Sequence, residues 1–463
     1  MAADAPGSRR PAALPGMVAS VLPGLLWPAL PRASSMAILA LHEQLVQSQW
    51  WSASRLQALQ LWQLTALLTH AARTVPHYRR LLRASSKVDP AFFLTLPVLT
   101  RAQVQEDPAA LVSSAVPRSH GAPGEVRSSG STGSPVELKQ TRLTAMFRRA
   151  LYLREHVWQR RDFTLQAAVI RNFKDGSAMP PEGKAAGGWG YGYETRPVAA
   201  LNIRATVDQQ LEWLARVKPA YLATFPTNLR SLANEALARG VALPGLRQVS
   251  TYAESLPPGL RELTQRAFGA TTSDIYSSEE TGPIAFQCGE HGQYHVQSEN
   301  LIAEVMDESG RPCAPGVPGR VLVTDLHNFA TPLIRYEIGD QAEFGPPCAC
   351  GRGLPVLARV LGRTRGMLRL AGGRSRWPSL PSGDELGRIA PVRQFQLVQT
   401  SLRELELRLV VARPLAAEEE ARVRAAFLAD LGEDLELRVA CVDSIPRSAS
   451  GKYEDFRSEV SEA

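Results

Sequence analysis

Five short segments carry residue types that could act together on a nucleotide. The run Ser128-Ser129-Gly130-Ser131-Thr132-Gly133-Ser134-Pro135 is dense in glycines and hydroxyls. Glycines let the backbone approach a ligand, and N–H and O–H groups then donate to phosphate oxygens. The spacing is not that of a Walker loop, and a Ser/Gly linker has the same composition. The second segment is Asp274-Ile275-Tyr276-Ser277-Ser278-Glu279-Glu280-Thr281-Gly282. A carboxylate there could hold Mg²⁺ on a triphosphate, since Mg²⁺ takes one or two carboxylates plus phosphate oxygens; a solvated acidic loop reads the same way. The third, Tyr336-Glu337-Ile338-Gly339-Asp340, ends on an aspartate after a glycine, a pairing also usual in turns. The fourth and fifth, Leu361-Gly362-Arg363-Thr364-Arg365-Gly366 and Ile445-Pro446-Arg447-Ser448-Ala449-Ser450-Gly451-Lys452, supply basic groups. The last could equally be a frayed tail.

The elements that must position these segments follow from periodicity. Leu56, Leu59, Leu64, Leu67, Leu68, Ala71 and Val75 recur near helical spacing, which predicts a helix over 52–83 capped by Ser52 or Ser54, with Pro76 breaking the pattern. Residues 160–200 are glycine-rich and give no clear assignment. Strand–helix alternation then sets in: strands at Ala220–Thr224, Arg247–Tyr252 and Ser273–Tyr276, helices at Asn228–Arg239 and Gly259–Phe268. Such alternation implies a parallel sheet covered by helices, with ligands at the carboxyl ends of the strands, here Thr224, Tyr252 and Tyr276. Strands at Leu301–Met306 and Arg320–Thr324 suggest a small antiparallel unit. Beyond 365, strands at Gln394–Thr400, Leu405–Val411 and Leu435–Val442 with a helix at Glu418–Leu431 predict a compact α+β domain.

The expected fold class is therefore α/β. A large N-terminal domain of parallel-rich, helix-covered sheets with a small β unit spans 36–364, and a small, mobile α+β domain spans 365–463. Residues 1–35 are expected to be a disordered extension, or to precede a true start at Met36. Their apolar run, Met17 to Leu30, is broken by Pro23 and Pro28 and is too short to span a bilayer. The net charge of +7 comes from scattered arginines, not Lys/Arg blocks. No nucleic-acid or membrane partner is expected. Five cysteines, an odd number in a long chain, argue against a disulfide framework and for a reducing compartment, the cytoplasm.

In order and spacing, these segments together resemble the adenylate-forming superfamily, and within it the phenylacetate–CoA ligase-like branch. Leu96-Pro97-Val98-Leu99-Thr100, Thr224-Phe225-Pro226-Thr227-Asn228 and Tyr252-Ala253-Glu254 resemble that branch too. The resemblance runs from about residue 52 to 457. It implies an AMP-forming ligase that activates a carboxylic acid with ATP and passes the acyl group to a thiol, coenzyme A. An amine, a hydroxyl or a carrier protein is the alternative acceptor, and a non-catalytic nucleotide-binding protein the rival of another class.

The resemblance also implies roles. Ser128, Ser129, Gly130, Ser131, Thr132 and Gly133 would hold the β- and γ-phosphates. Ala253 and Glu254 would border the adenine with Tyr276 near it. Asp340 would take the ribose hydroxyls, Arg363 would reach the ribose or phosphates, and Glu280 would hold Mg²⁺. Lys452 would stabilise charge on the α-phosphate and the attacking carboxylate. The chain departs from the pattern at Ser134, where the loop usually carries lysine, and at Ser277, Glu279, Arg365 and Gly366.

Cys288-x-x-His291 precedes Cys348-x-Cys350 in the chain. Three thiolates and one imidazole suit a tetrahedral structural zinc site, with His295 the alternative to His291, and incidental cysteines the competing reading. Trp189, Tyr191 and Tyr193 could line an aromatic slot for the acid or lie on a surface loop; the two readings weigh equally.

Overall fold

The apolar positions between 52 and 83 form two helices, not one. The computed structural model describes residues 16–82, 90–127, 136–173, 175–363, 367–370, 375–376, 378, 380–381, 383–431, 435–446 and 455–460. Helix α1 is Ala33–Ser48, α2 is Ala53–Thr74 and α3 is Pro76–Leu81. Ser52 caps α2 by accepting from the Arg55 N–H. Pro76 ends it, because a proline cannot continue the ladder and is at home in a first turn. Short helices α4 (Pro90–Thr95) and α5 (Arg101–Glu106) follow, α5 opened by a Thr100–Gln103 capping box.

A hairpin of β1 (Gly124–Arg127) and β2 (Glu137–Gln140) leads into helix α6 (Arg142–Trp158). The glycine-rich stretch that resists assignment contains β3 (Ala167–Arg171), β4 (Lys184–Gly188) and β5 (Pro197–Asn202). β4 is exposed along its whole length, so it carries no apolar alternation to read. Then come α7 (Val207–Val217), β6 (Tyr221–Thr224), α8 (Pro226–Arg239), β7 (Gln248–Tyr252), α9 (Leu260–Phe268) and β8 (Thr271–Ser278). These match the expected alternation to within a few residues. Strands β9 (Gly282–Gln287), β10 (Tyr294–Val296), β11 (Leu301–Met306), β12 (Gly319–Asp325), β13 (Tyr336–Phe344) and β14 (Val356–Arg363) complete this part.

All strands from β3 to β14 belong to one 12-stranded sheet, in the order β11-β12-β13-β14-β10-β9-β8-β7-β6-β3-β5-β4. The pairs β5–β3, β3–β6, β6–β7 and β7–β8 are parallel. The antiparallel strands are thus continuous with the parallel ones and not a unit apart. Ridges of α7, α8 and α9 bury Leu211, Trp213, Leu229, Leu232 and Leu263 against Ile170, Leu222 and Val249. Helices α1 and α6 pack around Phe286, and α2 to α5 cover β11–β14 through Leu64, Leu67, Leu99 and Val104.

The C-terminal part builds its own core. Strands β15 (Leu368–Arg369) and β16 (Ser375–Arg376) precede α10 (Gly383–Ile389), β17 (Val392–Gln399), β18 (Glu404–Val411), α11 (Ala417–Leu431), β19 (Glu436–Cys441) and β20 (Phe456–Ser458). The four-stranded order β19-β18-β17-β20 packs Leu397, Leu405 and Leu407 against Val423 and Phe427 of α11. No helix among the described residues is long and apolar enough to cross a membrane.

Candidate active site and cysteine cluster

The carboxyl ends of β6, β7 and β8 lie side by side, and the loops leaving them carry the predicted nucleotide groups. After β6, Thr227 at the start of α8 donates through its N–H (3.0 Å) and hydroxyl (2.8 Å) to Glu254 Oε2, in the loop after β7. This fixes Glu254 beside Ala253, which adopts a left-handed backbone, φ 69°. Such a conformation is uncommon for a residue with a Cβ and is held by its surroundings.

Near the end of β8, the buried Tyr276 donates from its phenol to Asp340 Oδ2 over 3.1 Å. Asp340 stands in β13, directly opposite Arg363 in β14. Candidate nucleotide residues of the parallel and the antiparallel half of the sheet therefore meet through this contact.

The loop from β8 to β9 holds Glu280. Ser278 Oγ accepts from the Thr281 N–H at 3.0 Å. The Glu280 carbonyl accepts from Gln140 Nε2 and Arg148 Nη2, each at 2.9 Å. Its carboxylate, almost wholly buried, pairs with Arg101 Nη1 at 3.1 Å. Gly282 has φ 77°, and a Cβ there would sit 2.5 Å from Arg148 Nε, so only glycine lets the loop close over Arg148. Sequence reasoning did not single out Arg101, Gln140, Arg148 or Thr227. Arg101 directly follows Leu96–Thr100, and Thr227 lies inside Thr224–Asn228, so for these two the signal was present in segments already noted.

Ser128, Ser129, Gly130, Ser131, Thr132, Gly133 and Lys452 lie outside the described residues. Arg363 is placed by its backbone at the end of β14.

The aromatic residues pack into the protein instead of lying on an exposed surface loop. Trp189 is buried, Tyr191 stacks on His156 with centroids 5.9 Å apart, and Tyr193 stacks on Phe163 at 4.9 Å. Tyr191 and Tyr193 also line a cavity of about 430 Å³ with Arg32, Ser34, Ser35 and Arg149.

The cysteine cluster forms with one change of ligand. Cys288, His295, Cys348 and Cys350 bring their donor atoms within 4.8 Å of one another. His291, expected as the fourth ligand, is exposed on the turn before β10. The reason is register: β10 pairs antiparallel with both β9 and β14, and His295 lies in that strand opposite Phe286 and Val356. His295 Nε2 is 3.3 Å from Cys350 Sγ. Burial, helped by Arg352, pushes the His295 imidazole down to about 4, so it is neutral at pH 7, the ligand form. Burial pushes the Cys348 thiol up to about 12, with the Cys288 and Cys350 thiols adding to it. Arg352 is fixed by Gln49 Oε1 at 3.0 Å and by the face of Trp158 at 4.6 Å. Three thiols and one neutral imidazole, crowded and largely buried, fit a tetrahedral divalent metal with soft ligands.

Comparison with known proteins supports the fold. The family described as the CapK C-terminal domain matches residues 386–458. A phenylacetate–coenzyme A ligase of Thermus thermophilus is 27% identical over 391 residues, covering 79% of this chain and 83% of the relative. Among solved structures, 2-hydroxyisobutyryl-CoA ligase in its postadenylation state, in complex with 2-HIB-AMP, superposes with a TM-score of 0.71 at 20% identity, over 89% of this chain and 91% of that one. The same ligase with 2-HIB-AMP and CoA in the thioesterification state gives 0.58 at 22% identity, over 89% and 91%. Over most of its length the chain is therefore similar to the phenylacetate–CoA ligase-like branch of the adenylate-forming enzymes, and it shares their fold.

Proposed function

We propose that this protein is an AMP-forming carboxylate–CoA ligase. In the first step an oxygen of the substrate carboxylate attacks the α-phosphorus of ATP and pyrophosphate leaves. In the second the thiol of coenzyme A attacks the carbonyl of the acyl-adenylate and AMP leaves. The observation that carries the reading is the meeting of Tyr276 and Asp340 beside the Glu254 and Glu280 loops. A carboxylate offers two acceptor oxygens to the vicinal hydroxyls of a ribose, and the phenol holds it in place. Glu254 and Ala253 border the adenine, and the Ser128–Gly133 run carries the β- and γ-phosphates.

Glu280 would hold the Mg²⁺ that accompanies ATP, with the cation competing for the carboxylate that now pairs with Arg101. The guanidinium is then left beside the phosphate end, where positive charge favours the departing pyrophosphate. Arg363 reaches the ribose or phosphates. Lys452 stabilises charge on the α-phosphate and the attacking carboxylate. Catalysis is chiefly positioning and electrostatic stabilisation, because phosphoryl-centre substitution leaves little covalent work to the protein. The domain of 365–463 rotates between the steps.

Cys288, His295, Cys348 and Cys350 hold a structural zinc that fixes the β9–β10 turn to the 345–355 loop, remote in role from the chemistry. The five free cysteines fit a reducing compartment such as the cytoplasm.

Pyrophosphate release across a panel of carboxylic acids, with and without coenzyme A, tests the reading. Release that depends on an acid, with thioester appearing only when coenzyme A is present, is expected. No release with any acid would overturn it.

A further inference from the structure

The C-terminal unit meets the large sheet domain along α8. There Arg230 Nη1 lies 3.4 Å from Asp455 Oδ2, with about a fifth of each side chain exposed. Among the described residues this ion pair joins the two units. Both partners are rigidly mounted. Arg230 is one helical turn beyond Thr227, whose N–H and hydroxyl hold Glu254. Asp455 accepts at its carbonyl from the Leu397 N–H at 2.8 Å and immediately precedes β20, which pairs with β17. In sequence it stands three residues after Lys452.

The rest of this seam is loosely filled. Thr227, Arg230, Ser231 and Asn234 on the α8 side face Leu386, Val392, Phe395, Arg393 and Gln394 across a space of about 40 Å³ that is polar on the helix side and mixed on the other. Asp455 Oδ1 is buried with no hydrogen-bond partner among the described residues. A large, close-packed apolar interface would resist separation, whereas a small seam of mixed polarity, joined among the described residues by this partly exposed ion pair, separates at modest cost. The whole chain also superposes better on the postadenylation arrangement of the 2-hydroxyisobutyryl-CoA ligase than on its thioesterification arrangement.

We propose that the Arg230–Asp455 pair latches the C-terminal unit in the arrangement that serves adenylation, so that Arg230 and Asp455 are positioning residues for the first half-reaction and must part for the second. This rests on the ligase reading above. The logic is that a contact present in only one of two arrangements shifts their ratio by its own free energy. Removing it depopulates the adenylation arrangement and leaves the other intact. The pair also ties the segment that carries Lys452 to the helix that orients Glu254.

The test uses the full chain with a pair of fluorescent unnatural amino acids at Leu237 and Leu402, both exposed. Energy transfer between them reports the arrangement without any turnover. Arg230→Glu and Asp455→Arg are each expected to lower the ratio of the arrangement of this structure to the alternative roughly fivefold, the factor that about 1 kcal/mol gives. The double variant Arg230→Glu/Asp455→Arg is expected to restore it, since the charges are exchanged but still opposite.

In parallel, phenylacetate is the probe acid for pyrophosphate release, and chemically prepared phenylacetyl-adenylate with coenzyme A probes the second step. Each single variant should slow the first step and spare the second, and the double variant should recover the first. Unchanged distances in the single variants overturn the proposal. So does a double variant as impaired as the singles, which would mark a merely structural contact. A wild-type chain that gives no product on phenylacetate counts against that acid or the ligase reading, while the distances still decide the latch.

Discussion

Tyr276 and Asp340 touch through a 3.1 Å hydrogen bond although they stand on strands of opposite kind, one in the parallel half of the sheet and one in the antiparallel half. The contact gives the Asp340 carboxylate a fixed orientation, as the proposed ribose site requires.

Asp340→Ala should weaken ATP binding by about 1.5–3 kcal/mol, the usual range for a hydrogen bond to a charged group, which is roughly tenfold or more. Tyr276→Phe removes only the neutral partner and should cost about 0.5–1.5 kcal/mol. Calorimetric titration of ATP into the folded variants measures both. Equal affinity in Asp340→Ala and wild type would displace the ribose from this carboxylate.

Glu280 should set the Mg²⁺ requirement. In Glu280→Gln the carboxylate charge that attracts the cation is gone, so adenylation should need several-fold more Mg²⁺ to reach half its maximum. Arg101→Ala should lower that requirement instead, because Mg²⁺ no longer competes with the guanidinium 3.1 Å away. Titrating Mg²⁺ at saturating ATP separates the two. Shifts in the same direction would refute the exchange of partners.

The protein purified without chelator should carry about one zinc per chain, as expected of a four-ligand structural site. His295→Ala and Cys348→Ser should lose the metal and lower Tm, whereas His291→Ala should change neither. Elemental analysis and thermal melts read this directly. Loss of metal in His291→Ala would return that residue to the ligand set.

Lys452→Ala should cut acyl-adenylate formation while ATP binding stays nearly intact, because a compact charge that acts on the transition state contributes little to ground-state binding. Thioester formation from supplied acyl-adenylate should survive. Measuring the two half-reactions in one variant distinguishes a lysine of the first step from one used in both. An undiminished adenylation rate would remove Lys452 from the mechanism.

The sequence by itself determined the α/β class and the alternation from β6 to β8. Apolar periodicity reports which face of an element is buried, and the turn residues mark where it stops. It also determined the order of the chemical segments, and with it the family. Tertiary structure alone decided the rest. That the antiparallel strands extend the parallel sheet depends on backbone pairing between β8, β9, β10 and β14, which leaves no local signature. His295 replaces His291 because hairpin register aims one histidine into the cysteine cluster and leaves the other in solvent. Cys288 is followed by histidines at both 291 and 295, and only the placed strand chooses between them. Arg101 meets Glu280, and Arg230 meets Asp455, across 179 and 225 residues of chain. Long-range ion pairs of this kind carry no periodicity and no motif. They exist only because packing has brought two surfaces together, and their strength is set by how much water that packing excludes.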